Sequence, residues 1–264
     1  MKEIEANKKA WGSLAKVHYE HCLKTFKENK IIFTKIIEEE IGEINGKRVI
    51  HLQCNTGADT ILLAKKGAIV TGVDLVPENI FYARKLSEEL GIQNIDFIES
   101  DIMTFMSKHH EKYDMVFTTE GVLTWLPDLN KWAETINHLL KDNGILYVMD
   151  NHPFSMMFNG EKLKDNILEI RYPYFKREPD FSEEMDDYWS DNKTTPVFEW
   201  MYKISDIINP LAKNGFMIEF FNEFDTLYFD MGDMKEKEYG IFHYPHFEGK
   251  MPFSFSLKAR KVLS

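Results

Sequence analysis

Residues 8–40 carry apolar side chains at helical spacing. Leu14, Val17, Cys22 and Phe26 are followed by Ile31, Ile32, Ile36 and Ile37, which predicts two helices. From Arg48 the period changes. RVIHLQC is a short apolar run ending in turn residues, and ADTILLAKKG after it reads as a helix stopped by Gly67. AIVTGVD predicts a second strand, and PENIFYARKLSEELG a second helix with Pro77 in its first turn and Gly91 after its end. IDFIESD and YDMVFTT follow as third and fourth strands, LNKWAETINHLLKDNG as a helix and ILYVMD as the fifth strand. Such alternation builds βαβ units around a parallel sheet covered on both faces.

Past Asp150 the period is lost. Residues 151–200 hold an acidic, aromatic stretch, EPDFSEEMDDYWSD, and read as an insertion. EWMYKISDIINPLAKNG resumes a helical pattern that Pro210 is expected to break or kink. MIEFFNEF and PFSFSLKARK alternate as the last two strands, with a long connection over 225–252 between them. One α/β domain over 1–264 is therefore expected. It divides into a helical segment at 1–45, a ligand-binding half at 46–150, the insertion at 151–200, and a closing helix and strands at 201–264.

Composition narrows the class. A chain of 264 residues fits one large domain at roughly 150 residues per domain, and 44% apolar with 28% charged residues is ordinary for a globular protein. No apolar run approaches the about 18 residues of a membrane span, and the start, MKEIEANKKAWGS, has no apolar h-region. Two cysteines, Cys22 and Cys54, are too few for a disulfide framework, so a cytoplasmic location is expected. A net charge of −11 disfavours nucleic acid and anionic membranes as partners. Aromatic residues make up 14% of the chain, which serves either a core or a pocket for an organic ligand.

The chemistry lies at the carboxyl ends of successive strands, where open α/β sheets bind ligands. The first strand ends in Gln53-Cys54-Asn55-Thr56-Gly57 just before a helix, a turn that exposes backbone N–H groups to an acidic ligand group. Asp74 ends the second strand, 17 residues after Gly57, at a spacing suited to the hydroxyls of a ribose. Asp101 and Ile102 end the third, where they would meet the amine and apolar edge of an adenine. Each has a plainer reading: Asp74 and Asp101 could cap the helices that follow them. Together, in order, they outline a nucleoside carrying an acidic group.

RVIHLQCNTGADTILLAKKGAIVTGVDLVPENIFYAR resembles the cofactor-binding half of class I S-adenosylmethionine-dependent methyltransferases. It is most similar to a subgroup whose first motif reads H-L-Q-C in place of D-L-G-C-G-T-G. The resemblance runs on through ESDIMTF, YDMVFTTEGVLTWLPDLNKWAE and GILYVMDNHP. It implies a Rossmann-like seven-stranded sheet in the order 3-2-1-4-5-7-6 with strand 7 antiparallel, and S-adenosyl-L-methionine as cofactor. It further implies that Gln53, Cys54, Asn55 and Gly57 wrap the methionine part and Asp74 the ribose. Leu75 would flank the adenine, Asp101 and Ile102 bind its edge, and Thr119 sit near the methionine amine. Gln53 and Asn55 fill positions usually held by glycine; Asn tolerates a left-handed backbone, whereas Gln53 and His51 depart from the pattern.

The function expected is methyl transfer to an N or O atom of a small organic acceptor. Glu120 after the fourth strand and His152 after the fifth are candidate bases, Glu120 equally a partner for the cofactor amine, and Glu223 a third carboxylate for the same cleft. His152 has the alternative of a structural histidine before Pro153. Trp11 and Tyr19, two turns apart on the first helix, form either a lid over the cofactor or ordinary packing. Tyr172, Tyr174, Phe175, Tyr188 and Trp200 are candidates for the acceptor pocket. No His/Cys/carboxylate spacing matches a metal site. Two other classes stay open: a non-catalytic cofactor-binding protein, and a nicotinamide-dependent oxidoreductase, which lacks here its G-x-G-x-x-G signature.

Overall fold

Helices α1 (Lys2–Lys27) and α2 (Lys35–Ile41) bury one face each, and Tyr19, Cys22 and Phe26 of α1 join Phe33, Ile37 and Ile41 in a single apolar cluster. The structure, a computed structural model, describes residues 1–176, 178–185 and 195–262. Alternation then begins as the pattern predicts: β1 (Arg48–Leu52), α3 (Ala58–Lys65), β2 (Ile69–Asp74), α4 (Pro77–Glu89), β3 (Ile95–Glu99), the single turn α5 (Ile102–Phe105) and β4 (Tyr113–Thr119). Next come α6 (Leu129–Leu139), capped by Asp128, and β5 (Leu140–Asn151). The fifth strand thus starts five residues before ILYVMD, because Leu140 already pairs with Tyr113 of β4.

The insertion contributes α7 (Gly160–Lys164) and a two-stranded ribbon of β6 (Asp180–Ser182) and β7 (Val197–Glu199). Tyr188 lies outside the described residues. Helix α8 (Ile204–Lys213) continues past Pro210. The proline is buried there beside Leu211, and its carbonyl still accepts from Asn214 N–H at 3.1 Å, so the expected break does not occur. β8 (Phe216–Phe224), the hairpin of β9 (Lys235–Glu238) and β10 (Ile241–His243), and β11 (Ser254–Lys261) complete the chain.

The main sheet has seven strands in the order β3-β2-β1-β4-β5-β11-β8. β11 is antiparallel to both neighbours and the rest are parallel, so the implied 3-2-1-4-5-7-6 topology holds. The chain crosses from β1 outward through β2 and β3, then returns to the other side of β1 with β4. That reversal leaves a crevice at the carboxyl ends of β1 and β4. The connection expected over 225–252 closes its own small core of Leu227, Met234, Tyr244, Phe247 and Met251 against Leu163 and Phe253. Among the described residues, no helix is long and apolar enough to cross a membrane.

Candidate active site

The loop after β1 settles how a motif without its usual glycines is folded. Gln53, Asn55 and Gly57 all have left-handed backbones, with φ of 58°, 50° and 81°. The alternation a glycine-rich loop would give is therefore kept by side chains that compensate for it. Gln53 Nε2 donates to the Val122 carbonyl at 3.0 Å, and Asn55 Oδ1 accepts from Thr56 N–H at 2.6 Å. Only Gly57 is sterically obliged to be glycine: a Cβ there would stand 2.9 Å from the Phe97 ring and 3.1 Å from Ala83. That vacant position faces the packing beneath the loop, and Gly57 is absent from the cavity wall, whereas Gln53, Cys54, Asn55 and Thr56 all line it.

Asp74 is buried and organises this corner. Its Oδ2 accepts from Asn55 N–H at 2.8 Å, and its Oδ1 accepts from Val76 N–H at 2.9 Å and Asn79 Nδ2 at 3.2 Å. A carboxylate offers about four acceptor positions, so at most one, on Oδ2, remains for a ligand hydroxyl. Burial raises its pKa against the lowering effect of these bonds. Leu75, Asp101 and Ile102 line the same wall. Asp101 also caps α5, accepting from Met103 N–H at 2.8 Å, so the capping and lining roles coincide.

The cavity has a volume of about 630 Å³ and continues from this corner past β4 to the insertion. Its wall includes His51, Asp59, Thr119 and Glu120. Thr119 Oγ1 donates to Asp59 Oδ2 at 2.7 Å. Burial, with the carboxylates of Asp59 and Asp150, holds the Glu120 carboxyl well above its usual range. Burial pushes the His51 imidazole down to about 3, so it is neutral; its Nδ1 meets Thr60 Oγ1 at 2.9 Å. Burial likewise raises the Cys54 thiol, which excludes a reactive thiolate. The far half of the cavity carries Met156, Phe158, Met201, Tyr228 and Phe229 beside Tyr172, with the charged Arg171 and Glu199 among them. Of the other expected pocket residues, Tyr174, Phe175 and Trp200 lie off this wall.

Two expectations are corrected. His152 lies off the cavity, 2% exposed, between Phe221 and Phe255. Its Nδ1 accepts from Phe154 N–H at 3.1 Å, and its Nε2 lies 2.9 Å from Glu223 Oε1. Side-chain alternation along the strand end explains this: Asn151 faces the cavity and its neighbour faces away. One nitrogen accepts and the other points toward Glu223, and neither residue lines the cavity. Trp11 and Tyr19 also part. Trp11 lines the cavity, edge-on to Trp125 at 5.3 Å. Tyr19, about 80° further round the helix and about 12 Å along it, stacks on Tyr82 at 5.1 Å and donates to Glu89 at 2.6 Å. Tyr19 is packing; Trp11 is wall.

Asp59, Asn7, Val122 and Trp125 also line the cavity and were missed by sequence reasoning. Asp59 looks in sequence like an ordinary acid in the first turn of a helix, and only the approach of Thr119 from β4 marks it out. Asn7 both donates to and accepts from the Phe198 backbone at 2.7 Å, strapping α1 to β7 beside the cavity.

Comparison with known proteins agrees with this geometry. Residues 44–195 match the family described as methyltransferase domain. A ubiquinone biosynthesis O-methyltransferase of Actinobacillus pleuropneumoniae is 33% identical over 115 residues, 42% of this chain and 48% of that one. The chain thus spans about half the length of the curated relatives it matches. Among solved structures, an S-adenosylmethionine-dependent methyltransferase from Clostridium acetobutylicum superposes with a TM-score of 0.59 at 16% identity, covering 93% of this chain and 98% of that one. Magnesium protoporphyrin IX methyltransferase from Synechocystis, solved with bound S-adenosylhomocysteine, gives a TM-score of 0.50 at 19% identity over 85% of this chain and 78% of that one. The strand order, the crevice and the matched 44–195 segment together make this chain a member of the methyltransferase domain family, with the fold of S-adenosylmethionine-dependent methyltransferases.

Proposed function

We propose that the protein transfers a methyl group from S-adenosyl-L-methionine to an oxygen atom of a small, largely apolar organic acceptor. The observation that carries this reading is one continuous cavity with two unlike halves. One half is polar and acidic, walled by the left-handed loop and Asp74, and the other is walled mostly by methionines and aromatic rings, with Arg171 and Glu199 among them. The choice of oxygen is supported by the O-methyltransferases among the relatives.

The residues present fit the cofactor. Buried Gln53 Oε1 has no hydrogen-bond partner, and the acids nearby suit a ligand carrying positive charge. Gln53, Cys54 and Asn55 would hold the methionine part beside Thr119, Asp74 one ribose hydroxyl, and Leu75, Asp101 and Ile102 the adenine. When bound, the cofactor supplies an activated methyl group on a sulfonium. The chain's own contribution is orientation and exclusion of water: Trp11 and Trp125 wall the cavity, and Asn7 ties α1 to β7 beside it. The acceptor would lie against Tyr228, whose hydroxyl donates to Asn151 Oδ1 at 2.9 Å. A cytoplasmic setting and a small-molecule partner are part of the same reading.

Calorimetric titration with S-adenosylmethionine, S-adenosylhomocysteine and NAD(H) tests the cofactor, and mass spectrometry of a panel of phenols, carboxylates and amines tests the acceptor. A mass increase of one methyl group on a hydroxylated acceptor is the expected result. Methylation of amines alone would overturn the oxygen assignment. Cofactor binding with no product from any acceptor would favour a binding protein without transferase activity.

A further inference from the structure

The half of the cavity away from the nucleoside corner holds a charge that an uncharged acceptor would leave unanswered. Among the described residues, Lys8 and Arg171 are the lysine and arginine on the cavity wall, and they differ in what they meet. Lys8 of α1 reaches Glu99, the last residue of β3, at 3.9 Å on the nucleoside side. Arg171, an exposed residue of the insertion, stands on the wall with Met156, Phe158 and Tyr172. Its guanidinium makes no hydrogen bond or ion pair among the described residues; its contact is the Tyr172 ring. The other described arginines are all engaged: Arg48 with Glu111, Arg84 with the Phe97 carbonyl, and Arg260 with Glu219 and the Asn143 carbonyl.

The segment that carries Arg171 is held in place. Arg171 and Tyr172 both donate their backbone N–H groups to the Met157 carbonyl, at 2.8 and 3.0 Å. Just before them, Ile170 forms a β-bridge with Phe158, and the Asn159 N–H donates to the Glu169 carbonyl at 2.9 Å. The side chain is placed as well, with the guanidinium carbon over the Tyr172 ring, 5.0 Å from its centre. A guanidinium held by its face keeps its N–H edge free, and that fork matches a planar carboxylate with two parallel hydrogen bonds.

The acids of the ribbon do not take this edge. Asp180 of β6 pairs with Lys176, and Glu199 of β7, which faces it across the ribbon and lines the cavity, forms no ion pair. Burial raises the Glu199 carboxyl, Asp180 adds to the shift and Arg171 opposes it, so all three share one neighbourhood. Acids this near disfavour a dianion such as phosphate and suit a ligand with a single negative charge.

We infer that Arg171 anchors a carboxylate on the methyl acceptor, which makes the substrate a hydroxy acid with an apolar body. Met156, Phe158 and Tyr172 would lie against that body, and the hydroxyl would be the oxygen methylated. The inference rests on the methyltransferase reading above.

The test compares para-hydroxybenzoate, para-coumarate and ω-hydroxyoctanoate, each with its primary amide, which keeps the shape and loses the charge. Calorimetry on protein saturated with S-adenosylhomocysteine gives the binding ratio. Mass spectrometry with S-adenosylmethionine gives the transfer ratio and the atom methylated. At least one acid should exceed its amide by about fivefold or more in affinity and in kcat/KM, with the methyl on its hydroxyl. Arg171→Met should bring that ratio to within about twofold of unity, and Arg171→Lys should keep part of it. Neither variant should change S-adenosylhomocysteine affinity by more than about twofold, and thermal melting confirms that both are folded. Equal use of acids and amides, a ratio unchanged in Arg171→Met, or methyl esters in place of ethers would overturn the anchor. So would binding of none of the acids by protein that binds S-adenosylhomocysteine. Failure to bind S-adenosylhomocysteine at all would remove the cofactor reading, and the anchor with it.

Discussion

The backbone N–H of Asn55 donates to Asp74 Oδ2 at 2.8 Å, tying the turn after β1 to the end of β2. The left-handed Asn55 and the carboxylate expected to bind ribose are thus one unit. Replacing Asp74 by Asn puts an amide NH₂ where N–H donors converge from Asn55, Val76 and Asn79. Unmade bonds of this kind cost about 1–3 kcal/mol each. Asp74→Asn should weaken S-adenosylhomocysteine at least about tenfold and lower stability in parallel, read by calorimetry and urea unfolding. Loss of affinity with unchanged stability would separate the ligand role from the loop role.

Gln53 holds φ 58° while its side chain bonds to Val122. Glycine relieves the backbone cost, and loses one hydrogen bond of about 1 kcal/mol. Gln53→Gly should therefore stay within about 1 kcal/mol of the natural protein in urea unfolding. A β-branched residue is poorly compatible with this backbone, so Gln53→Val should lose about 2 kcal/mol or more. Equal stability of the two variants would show that the loop can relax out of its left-handed form.

The regular part of this architecture was legible because its residues obey local rules. Gly67 and Gly91 follow helices, Pro77 opens one, and apolar runs of strand length lie between them. The left-handed Gln53 was not legible, because a non-glycine residue gives no sign of positive φ; its compensation comes from Val122, far along the chain. Asp59 was hidden for the same reason, since its partner Thr119 arrives on another strand. His152 was placed at the right edge of the sheet but on the wrong side. Which side it faces is set by Phe221, Glu223 and Phe255, which belong to strands folded against it from the far end of the sequence.

His152 is accordingly expected to be dispensable for turnover. Burial lowers its pKa, with Glu223 opposing the shift, and the Phe154 N–H at Nδ1 leaves the proton on Nε2. His152→Ala should keep the cofactor affinity and the pH profile of methylation while losing about 2–3 kcal/mol of stability to the cavity it creates. Loss of a limb of the pH–rate profile in a variant that melts normally would restore the histidine as a base.

Asp150 gives a prediction with a definite sign. It is buried, accepts from Val122, Leu123 and Asn151 N–H groups, and burial outweighs these bonds to push its carboxyl up to about 6. An unfolded aspartate titrates near ~3.9, so between those values the native state holds the proton more tightly than the unfolded chain. Its contribution to stability is full below ~3.9 and is lost as pH rises through about 6, roughly 3 kcal/mol for a shift of about two units. The stability of the natural protein minus that of Asp150→Asn should fall by about that amount between pH ~4 and ~7 in urea unfolding. A difference constant with pH would mean that the carboxyl stays ionised in the fold.

The strap beside the cavity gives the last prediction. Asn7 mimics a strand partner, with its side-chain amide making two 2.7 Å bonds to the backbone of Phe198. One turn further along α1, Trp11 stands edge-on to Trp125. Deleting the whole helix would remove Tyr19, Cys22 and Phe26 and uncover Phe33, Ile37 and Ile61 of the same apolar cluster, so a truncated chain should fail to fold. Asn7→Ala removes only the strap. It should leave the core intact while loosening α1 over the cavity, so that cofactor affinity falls by roughly 1–2 kcal/mol, about five- to thirtyfold. Hydrogen exchange should speed up in residues near Trp11 and leave the buried end of α1 around Cys22 protected. Trp11→Ala should weaken the cofactor with no change in exchange at β7, because it removes wall and leaves the strap. If Asn7→Ala binds S-adenosylhomocysteine as the natural protein does, α1 is a fixed wall and the strap has no part in closing the site.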